Sequence, residues 1–295
     1  MLKRIRYFIE GLVVKTTLWL TGLLPLRTAS ALGGFTGRLL APVLSRNKIA
    51  RKNLKRAMPE KNDAQIDKII EGMWENLGRV YAEFPHVGKL KAYECKDILS
   101  LEGVEHLETI KKINKGAIFI SGHLANWEMG PKLLTIHGFP LNLVYRKGNN
   151  PALDDIIQRS RNLYQSASIP KGNIGTKLLV QSIKEGKHVG VLIDQKINNG
   201  IPVKFFNDEA MTVTVIAKLA LKFNCPLLPT RVMRTNGPAH KVTIYPPIEI
   251  VKTDNLKTDV LNIMTRLNSC LEEWIKDKPE QWIWVHNRWP KNANE

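Results

Sequence analysis

From residue 117 onward the chain alternates short apolar runs with amphipathic stretches. Apolar runs at 117–121, 141–145, 188–193, 226–233 and 241–246 have the length of strands. Helical spacing covers 153–166, 175–184, 213–223 and 257–277. Such alternation predicts an α/β domain on a mainly parallel central sheet flanked by helices. In sheets of this kind the working residues gather just beyond the carboxyl ends of strands. His123, after "GAIFISG", and Asp194, after "HVGVLI", both fall there. Upstream, "DAQIDKIIEGMWENLGRVYAEF" at 63–84 repeats apolar residues at helical spacing, with Asp63 as the expected cap.

The start of the chain reads differently. Residues 1–59 hold twelve Lys and Arg and a single acid, Glu10, a net +11 of the chain's +17. Between residues 11 and 26 the sequence is apolar but carries Lys15. That is shorter than the about 20 apolar residues of a spanning helix. An interfacial or shallowly inserted helix fits this pattern, with Lys15 snorkelling, Trp19 in the headgroup zone and "SRNKIARKNLKR" at 45–56 drawn to anionic lipid. A core helix followed by a solvated basic helix is the alternative. The organisation expected is a basic membrane-associated helical arm over 1–59 and one catalytic domain over 60–295, without a sharp boundary.

A net charge of +17 calls for an anionic partner: nucleic acid, anionic lipid or a phosphorylated substrate. No nucleic-acid fold signature accompanies it, so nucleic acid is not expected. Cys95, Cys225 and Cys270 are odd in number and far apart, which suits reduced thiols in a reducing compartment rather than a disulfide framework or a zinc ribbon. The sequence has no G-x-S-x-G elbow, H-E-x-x-H pair, phosphate-binding G-x-x-x-x-G-K-[ST] loop or C-x-x-C. No metal is expected. The inventory favours direct attack by a deprotonated acceptor, with no enzyme nucleophile.

Three patches carry the candidate chemistry. In "SGHLANWEMG" at 121–130, His123 suits a general base near neutral pH, and a carboxylate raises imidazole basicity and fixes its tautomer. Glu128, in the first turns of a following helix, can reach back to it; the other reading is a strand-end histidine beside an unrelated carboxylate. In "YRKGNNPALDDIIQRSRNLYQ" at 145–165, Arg146 follows an apolar run and Arg161 lies late in a helix opened by Asn150 and Pro151. Arginine suits a phosphate or a developing oxyanion, although an exposed helix of mixed charge looks the same. In "GVLIDQKINNGIPVKFF" at 190–206, Asp194 either holds an arginine in place or caps a turn, and Gln195 can donate to a substrate oxygen. A fourth segment, "PEQWIWVHNRWP" at 279–290, alternates Trp282, Trp284, His286 and Arg288 with apolar residues and predicts a strand buried on both sides.

Taken in order, "ARKNLKRAMPE", "ENLGRVYAEF", "SGHLANWEMG", "YRKGNNPALDDIIQRSR", "VLIDQ" with "VKFFNDEAMT", and "PEQWIWVHNRW" make the chain resemble the bacterial lipid A biosynthesis acyltransferases of the lauroyl/myristoyl family. The resemblance implies a fold related to glycerolipid acyltransferases and a H-x-x-x-x-[DE] catalytic pair, here His123 and Glu128. It also marks Arg161 and Asp194 as important for activity and Arg146 as a family position. It implies transfer of a fatty acyl chain from acyl-acyl carrier protein to a hydroxyl of a Kdo-bearing lipid A precursor. His123 would deprotonate the hydroxyl, Glu128 would orient the imidazole, and Arg161 or backbone amides would meet the oxyanion. No cofactor is implied. The partners implied are acyl carrier protein, the lipid A precursor and an anionic membrane, with the catalytic domain on the cytoplasmic face of the inner membrane. An acyltransferase on another membrane glycolipid or lysophospholipid using acyl-CoA, or a non-catalytic basic membrane-binding protein, are the competing readings.

Overall fold

The computed structural model describes residues 2–113, 115–148, 150–164, 166–197 and 200–290. Four helices come first: α1 (Leu2–Leu23), α2 (Leu26–Leu40), α3 (Asn47–Ala57) and α4 (Asp63–Val87). The N-cap of α4 is Asn62 rather than the expected Asp63. Its side chain takes the Gln65 backbone N–H while the Gln65 side chain returns to the Asn62 N–H, a reciprocal capping box. Next come α5 (Ala92–Ile98), β1 (Leu99–Glu102), α6 (Val104–Ile113), β2 (Ile118–Ser121), α7 (Met129–Ile136), β3 (Leu141–Tyr145), α8 (Pro151–Asn162), β4 (Ser168–Pro170), α9 (Asn173–Lys184) and β5 (His188–Leu192). The chain continues with β6 (Ile201–Phe205), β7 (Asp208–Thr212), α10 (Val215–Phe223), β8 (Leu227–Asn236), β9 (Ala239–Ile244) and α11 (Leu256–Asp277).

A seven-stranded sheet runs in the order β1-β9-β8-β2-β5-β3-β4. Every pairing in it is parallel except β8 with β9. β6 and β7 form a separate antiparallel hairpin. β2 lies at the centre and shows why a parallel strand reads as a continuous apolar run. Ile118 and Ile120 join one hydrophobic cluster, with α3, α4, α10 and α11, and Phe119 joins the other, with α6 and α7. Each predicted strand from 117 to 246 and each helix from 153 to 277 is present, with bounds shifted by a few residues. The predicted end of the helix at 153–166 reaches Gln165, outside the described residues, as does Asn149 of the same patch; α8 stops at Asn162. The short elements that were not expected include α5, α6, β1, β4 and the β6–β7 hairpin.

The expected strand at 279–290 is absent. In its place stand a single 3₁₀ turn at Pro279–Gln281 and an irregular segment whose β-pairing among the described residues is one isolated bridge between Leu124 and Trp282. Trp282, Trp284 and Arg288 of one set are enclosed, as is Trp289, whereas Ile283 and Val285 of the other set are half-buried.

The helices of residues 1–59 pack on α4. Where α2 crosses α4, a Cβ on Gly78 would sit 2.1 Å from the Gly33 carbonyl oxygen, so only glycine allows that approach. Ala50, Leu54 and Ala57 of α3 belong to the same core as Ile66, Ile70 and Met73 of α4. The outer faces of α1 and α2 stay uncovered, with Phe8 72% and Trp19 63% exposed and Leu12, Leu20, Phe35 and Leu39 beside them. Among the described residues no helix is long and apolar enough to cross a membrane.

Candidate active site

Strand register delivers the site. Ser121 of β2 is the parallel partner of Leu192 of β5, and two residues beyond each come His123 and Asp194. The same end of the sheet places Arg146 directly after β3 and Lys171 directly after β4. His123, Arg146, Lys171 and Gln195 thus line one cavity of about 490 Å³. Val14 and Leu18 of α1, Leu77 and Phe84 of α4, and Ile156 and Ile157 of α8 complete a largely apolar wall.

Asp194, not Glu128, is the carboxylate that orients the histidine. Its Oδ1 lies 2.8 Å from His123 Nδ1. Its Oδ2 accepts from the His123 backbone N–H at 2.7 Å and from the Trp282 indole N–H at 2.8 Å. Asp194 therefore holds His123 and Trp282 rather than an arginine. Burial pushes the Asp194 carboxyl up, but the His123 charge and the three donors outweigh it and hold the group far below the usual carboxylate range. With an ionised acceptor at Nδ1 the imidazole carries its proton there, which leaves Nε2 as the basic nitrogen. Gln195 Nε2 stands 3.2 Å from that nitrogen, and Lys171 Nζ donates to Gln195 Oε1 at 3.2 Å. Trp127 meets the imidazole edge-on, with ring centroids 4.9 Å apart.

Glu128 sits at the N-cap of α7 and turns to a different partner. Its Oε1 accepts from Arg161 Nη2 at 2.6 Å, and its Oε2 accepts from Arg161 Nε at 3.2 Å and from the Tyr164 hydroxyl at 2.5 Å. Burial raises its pKa, and the Arg161 guanidinium more than reverses that, so the carboxyl stays ionised. A helix-first geometry explains the departure from expectation. The turn from His123 to Glu128 includes Ala125 in the left-handed region at φ 48°, which carries Glu128 past the imidazole toward α8. Arg161 is held by this pair and keeps Nη1 buried without a hydrogen-bond partner. It borders the main cavity and a smaller apolar one of about 50 Å³ behind it.

All six residues singled out in the sequence, His123, Glu128, Arg146, Arg161, Asp194 and Gln195, therefore meet at one end of the sheet. Three participants were missed. Tyr164 lies three residues after Arg161, in the turn that follows α8, where its backbone N–H donates to the Arg161 carbonyl at 3.1 Å. Lys171 is the residue after an unrecognised strand, and Trp282 lay in a segment read as a strand.

Residues 1–291 match the model of the family described as bacterial lipid A biosynthesis acyltransferase. The chain is 25% identical over 276 residues to the lipid A biosynthesis palmitoleoyltransferase of Escherichia coli (strain K12), covering 92% of this chain and 88% of that one. It is 24% identical over 262 residues to the phosphatidylinositol mannoside acyltransferase of Mycobacterium tuberculosis, covering 83% and 78%. The crystal structure of the 1-acyl-sn-glycerophosphate (LPA) acyltransferase from Thermotoga maritima overlaps 83% of this chain and 98% of its own at 12% identity, with a TM-score of 0.37, too low to carry a fold assignment. On the family match over residues 1–291, this chain belongs to the bacterial lipid A biosynthesis acyltransferases and is an O-acyltransferase.

Proposed function

We propose that the protein moves a fatty acyl chain from acyl-acyl carrier protein to a hydroxyl of a Kdo-bearing lipid A precursor, with His123 as general base. The observation that carries this reading is the Asp194-held imidazole beside Gln195 at the wall of an apolar cavity. The acceptor hydroxyl takes the place of the Gln195 amide at Nε2 and gives up its proton there. Its oxygen attacks the thioester carbonyl. The unpartnered Nη1 of Arg161 donates to the oxyanion, a contribution of about 3 kcal/mol to the barrier for one such donor. Collapse breaks the carbon–sulfur bond, and the imidazolium returns its proton to the leaving thiolate. Glu128 serves in this scheme by fixing Arg161. The chemistry requires no cofactor, and a fold related to glycerolipid acyltransferases is what the sequence resemblance implies.

A net charge of +17 suits an acidic carrier protein, a phosphorylated acceptor and an anionic bilayer alike. The uncovered faces of α1 and α2 then lie on the cytoplasmic leaflet of the inner membrane, with Phe8 and Trp19 inserted. Sedimentation with vesicles checks this. Binding is expected to be stronger to phosphatidylglycerol-containing than to pure phosphatidylcholine vesicles, and Phe8→Asp with Trp19→Asp reduces it; equal binding by parent and double variant refutes the placement.

The likeness to a phosphatidylinositol mannoside acyltransferase supports one second reading, a different membrane glycolipid as acceptor. Mass spectrometry separates the two. Each acceptor is incubated with the protein and a ladder of acyl-carrier-protein and acyl-CoA thioesters. An acyl-chain mass gain on the lipid A precursor, from the carrier-protein donors, is expected; gain only on the other glycolipid transfers the assignment to it.

A further inference from the structure

Apart from the Trp282 indole on Asp194, the segment "PEQWIWVHNRWP" touches none of the reacting groups, yet it contains some of the most enclosed side chains among the described residues. We propose that Trp282, together with Gln281, is a positioning element that clamps both the turn bearing His123 and the carboxylate behind it. The inference rests on the reading of His123 as the base.

Two sets of contacts meet here. On one side, the Trp282 indole N–H and the His123 backbone N–H both point at Asp194 Oδ2, at 2.8 and 2.7 Å. Two donors on one oxygen fix the carboxylate plane, and the other oxygen then meets Nδ1 in line at 2.8 Å. A single donor would leave the carboxylate free to turn about χ2, which is a broad torsion for Asp.

On the other side, the backbone of the same two residues grips the turn. Trp282 bridges Leu124, and the Gln281 carbonyl accepts from the Ala125 N–H at 2.8 Å. Asn76 of α4 donates to the carbonyls of both Ala125 (3.3 Å) and Gln281 (3.5 Å). Ala125 holds a left-handed conformation that alanine rarely adopts unaided, so something must hold it. Gln281 is anchored in turn to β8: its Oε1 accepts from the Arg234 N–H at 2.9 Å, and its Nε2 donates to the Arg234 carbonyl at 3.0 Å. A rigid strand is thereby tied to the imidazole through one residue pair, the arrangement by which supporting groups set catalytic geometry.

Trp282→Phe in the full chain tests the proposal, with Trp289→Phe as the comparison. Both remove a buried indole N–H hydrogen bond and a similar volume, but Trp289 donates to the Phe205 carbonyl at 3.2 Å rather than to Asp194. The expected result for Trp282→Phe is a kcat about tenfold to hundredfold lower with KM for donor and acceptor little changed, because only the reacting geometry is disturbed. Trp289→Phe keeps the parental kcat once corrected for folded fraction, even where its Tm falls as far.

A folded Trp282→Phe with parental kcat, or equal kcat losses in both variants, overturns the proposal. Should Trp282→Phe not fold, Asn76→Asp decides: it removes the donor to both carbonyls and keeps an acceptor for Arg234 Nε. A lower kcat at unchanged KM is expected there, and a parental kcat overturns the clamp. His123→Ala is assayed in parallel. If it stays active, the base reading itself falls; if it is inactive while Trp282→Phe is parental, only the clamp does.

Discussion

Asp194→Asn is expected to inactivate the enzyme nearly as completely as His123→Ala, and Glu128→Gln much less so. Loss of a positioned general base costs about 10²- to 10⁴-fold in rate. The reason that one atom exchanged at Asp194 matters as much lies in which oxygen each donor uses. Oδ2 accepts from two N–H groups, the His123 backbone and the Trp282 indole. An asparagine must place its carbonyl oxygen there, since its NH₂ group cannot face two donors. The amide NH₂ then falls at the Oδ1 position, 2.8 Å from His123 Nδ1, and donates to it. The imidazole proton moves to Nε2, the nitrogen that accepts the substrate's proton in the proposed mechanism, and on that reading the base is lost with geometry intact. A fall of about 10³- to 10⁴-fold in kcat is expected by analogy with tautomer inversion in a Ser-His-Asp triad.

Glu128→Gln leaves the His123 tautomer untouched and loosens Arg161 instead, so its defect is expected within about 10²- to 10³-fold, the value of one oxyanion donor. Steady-state kinetics on the three variants settles the order. A near-parental Asp194→Asn beside an inactive Glu128→Gln would return the orienting role to Glu128.

The reversal of these two carboxylates marks where the sequence stops being legible. Strand ends were readable because β2 and β5 are buried on both faces and so uninterrupted by polar residues, and this placed His123 and Asp194 at the same edge. Their pairing was not readable, since it depends on β2 and β5 being neighbours in register, a long-range fact. Local spacing made Glu128 the nearer candidate; the left-handed Ala125 that diverts it leaves no trace in composition. Edge elements failed for another reason. β1 and β4 are four and three residues long, too short to display a period. The 279–290 segment shows the opposite error: its alternation of indoles and aliphatics obeys the strand period, but Trp282, Trp284 and Trp289 bury by wedging between the β6–β7 hairpin and α4, with no neighbouring strand to pair. Tyr164 was within reach of the sequence only through the predicted helix at 153–166; in the structure it lies in the turn beyond α8.

Arg161→Met is expected to be the most destabilising single change in the site, lowering unfolding free energy by about 3 to 5 kcal/mol near neutral pH, the cost of leaving one member of a buried ion pair alone. Arg161 and Glu128 are both buried, and apart from Arg161 the Glu128 carboxylate oxygens accept only from the Tyr164 hydroxyl among the described residues. The pH dependence distinguishes this from a simple loss of packing. In the parent, Arg161 holds the Glu128 carboxyl below its ordinary 4.5, so the pair's contribution is complete above that value and is lost as pH falls through the folded pKa. Without the guanidinium, burial, the largest single influence on this carboxyl, is opposed only by the Tyr164 hydroxyl and the His123 charge, and the Glu128 pKa is expected to rise. The variant's Glu128 then prefers to stay protonated, and its folded state loses ground as pH rises from about 4 toward 7. The gap between parent and variant therefore widens with pH. Glu128→Gln combined with Arg161→Met removes the orphaned charge, keeps an acceptor for Tyr164, and is expected to recover about 1 to 3 kcal/mol relative to Arg161→Met alone. Urea denaturation of the three proteins between pH 4 and 8 measures this. A deficit independent of pH, or a double variant no more stable than Arg161→Met, would mean that the guanidinium stabilises the site by packing on Tyr145 and not by its charge.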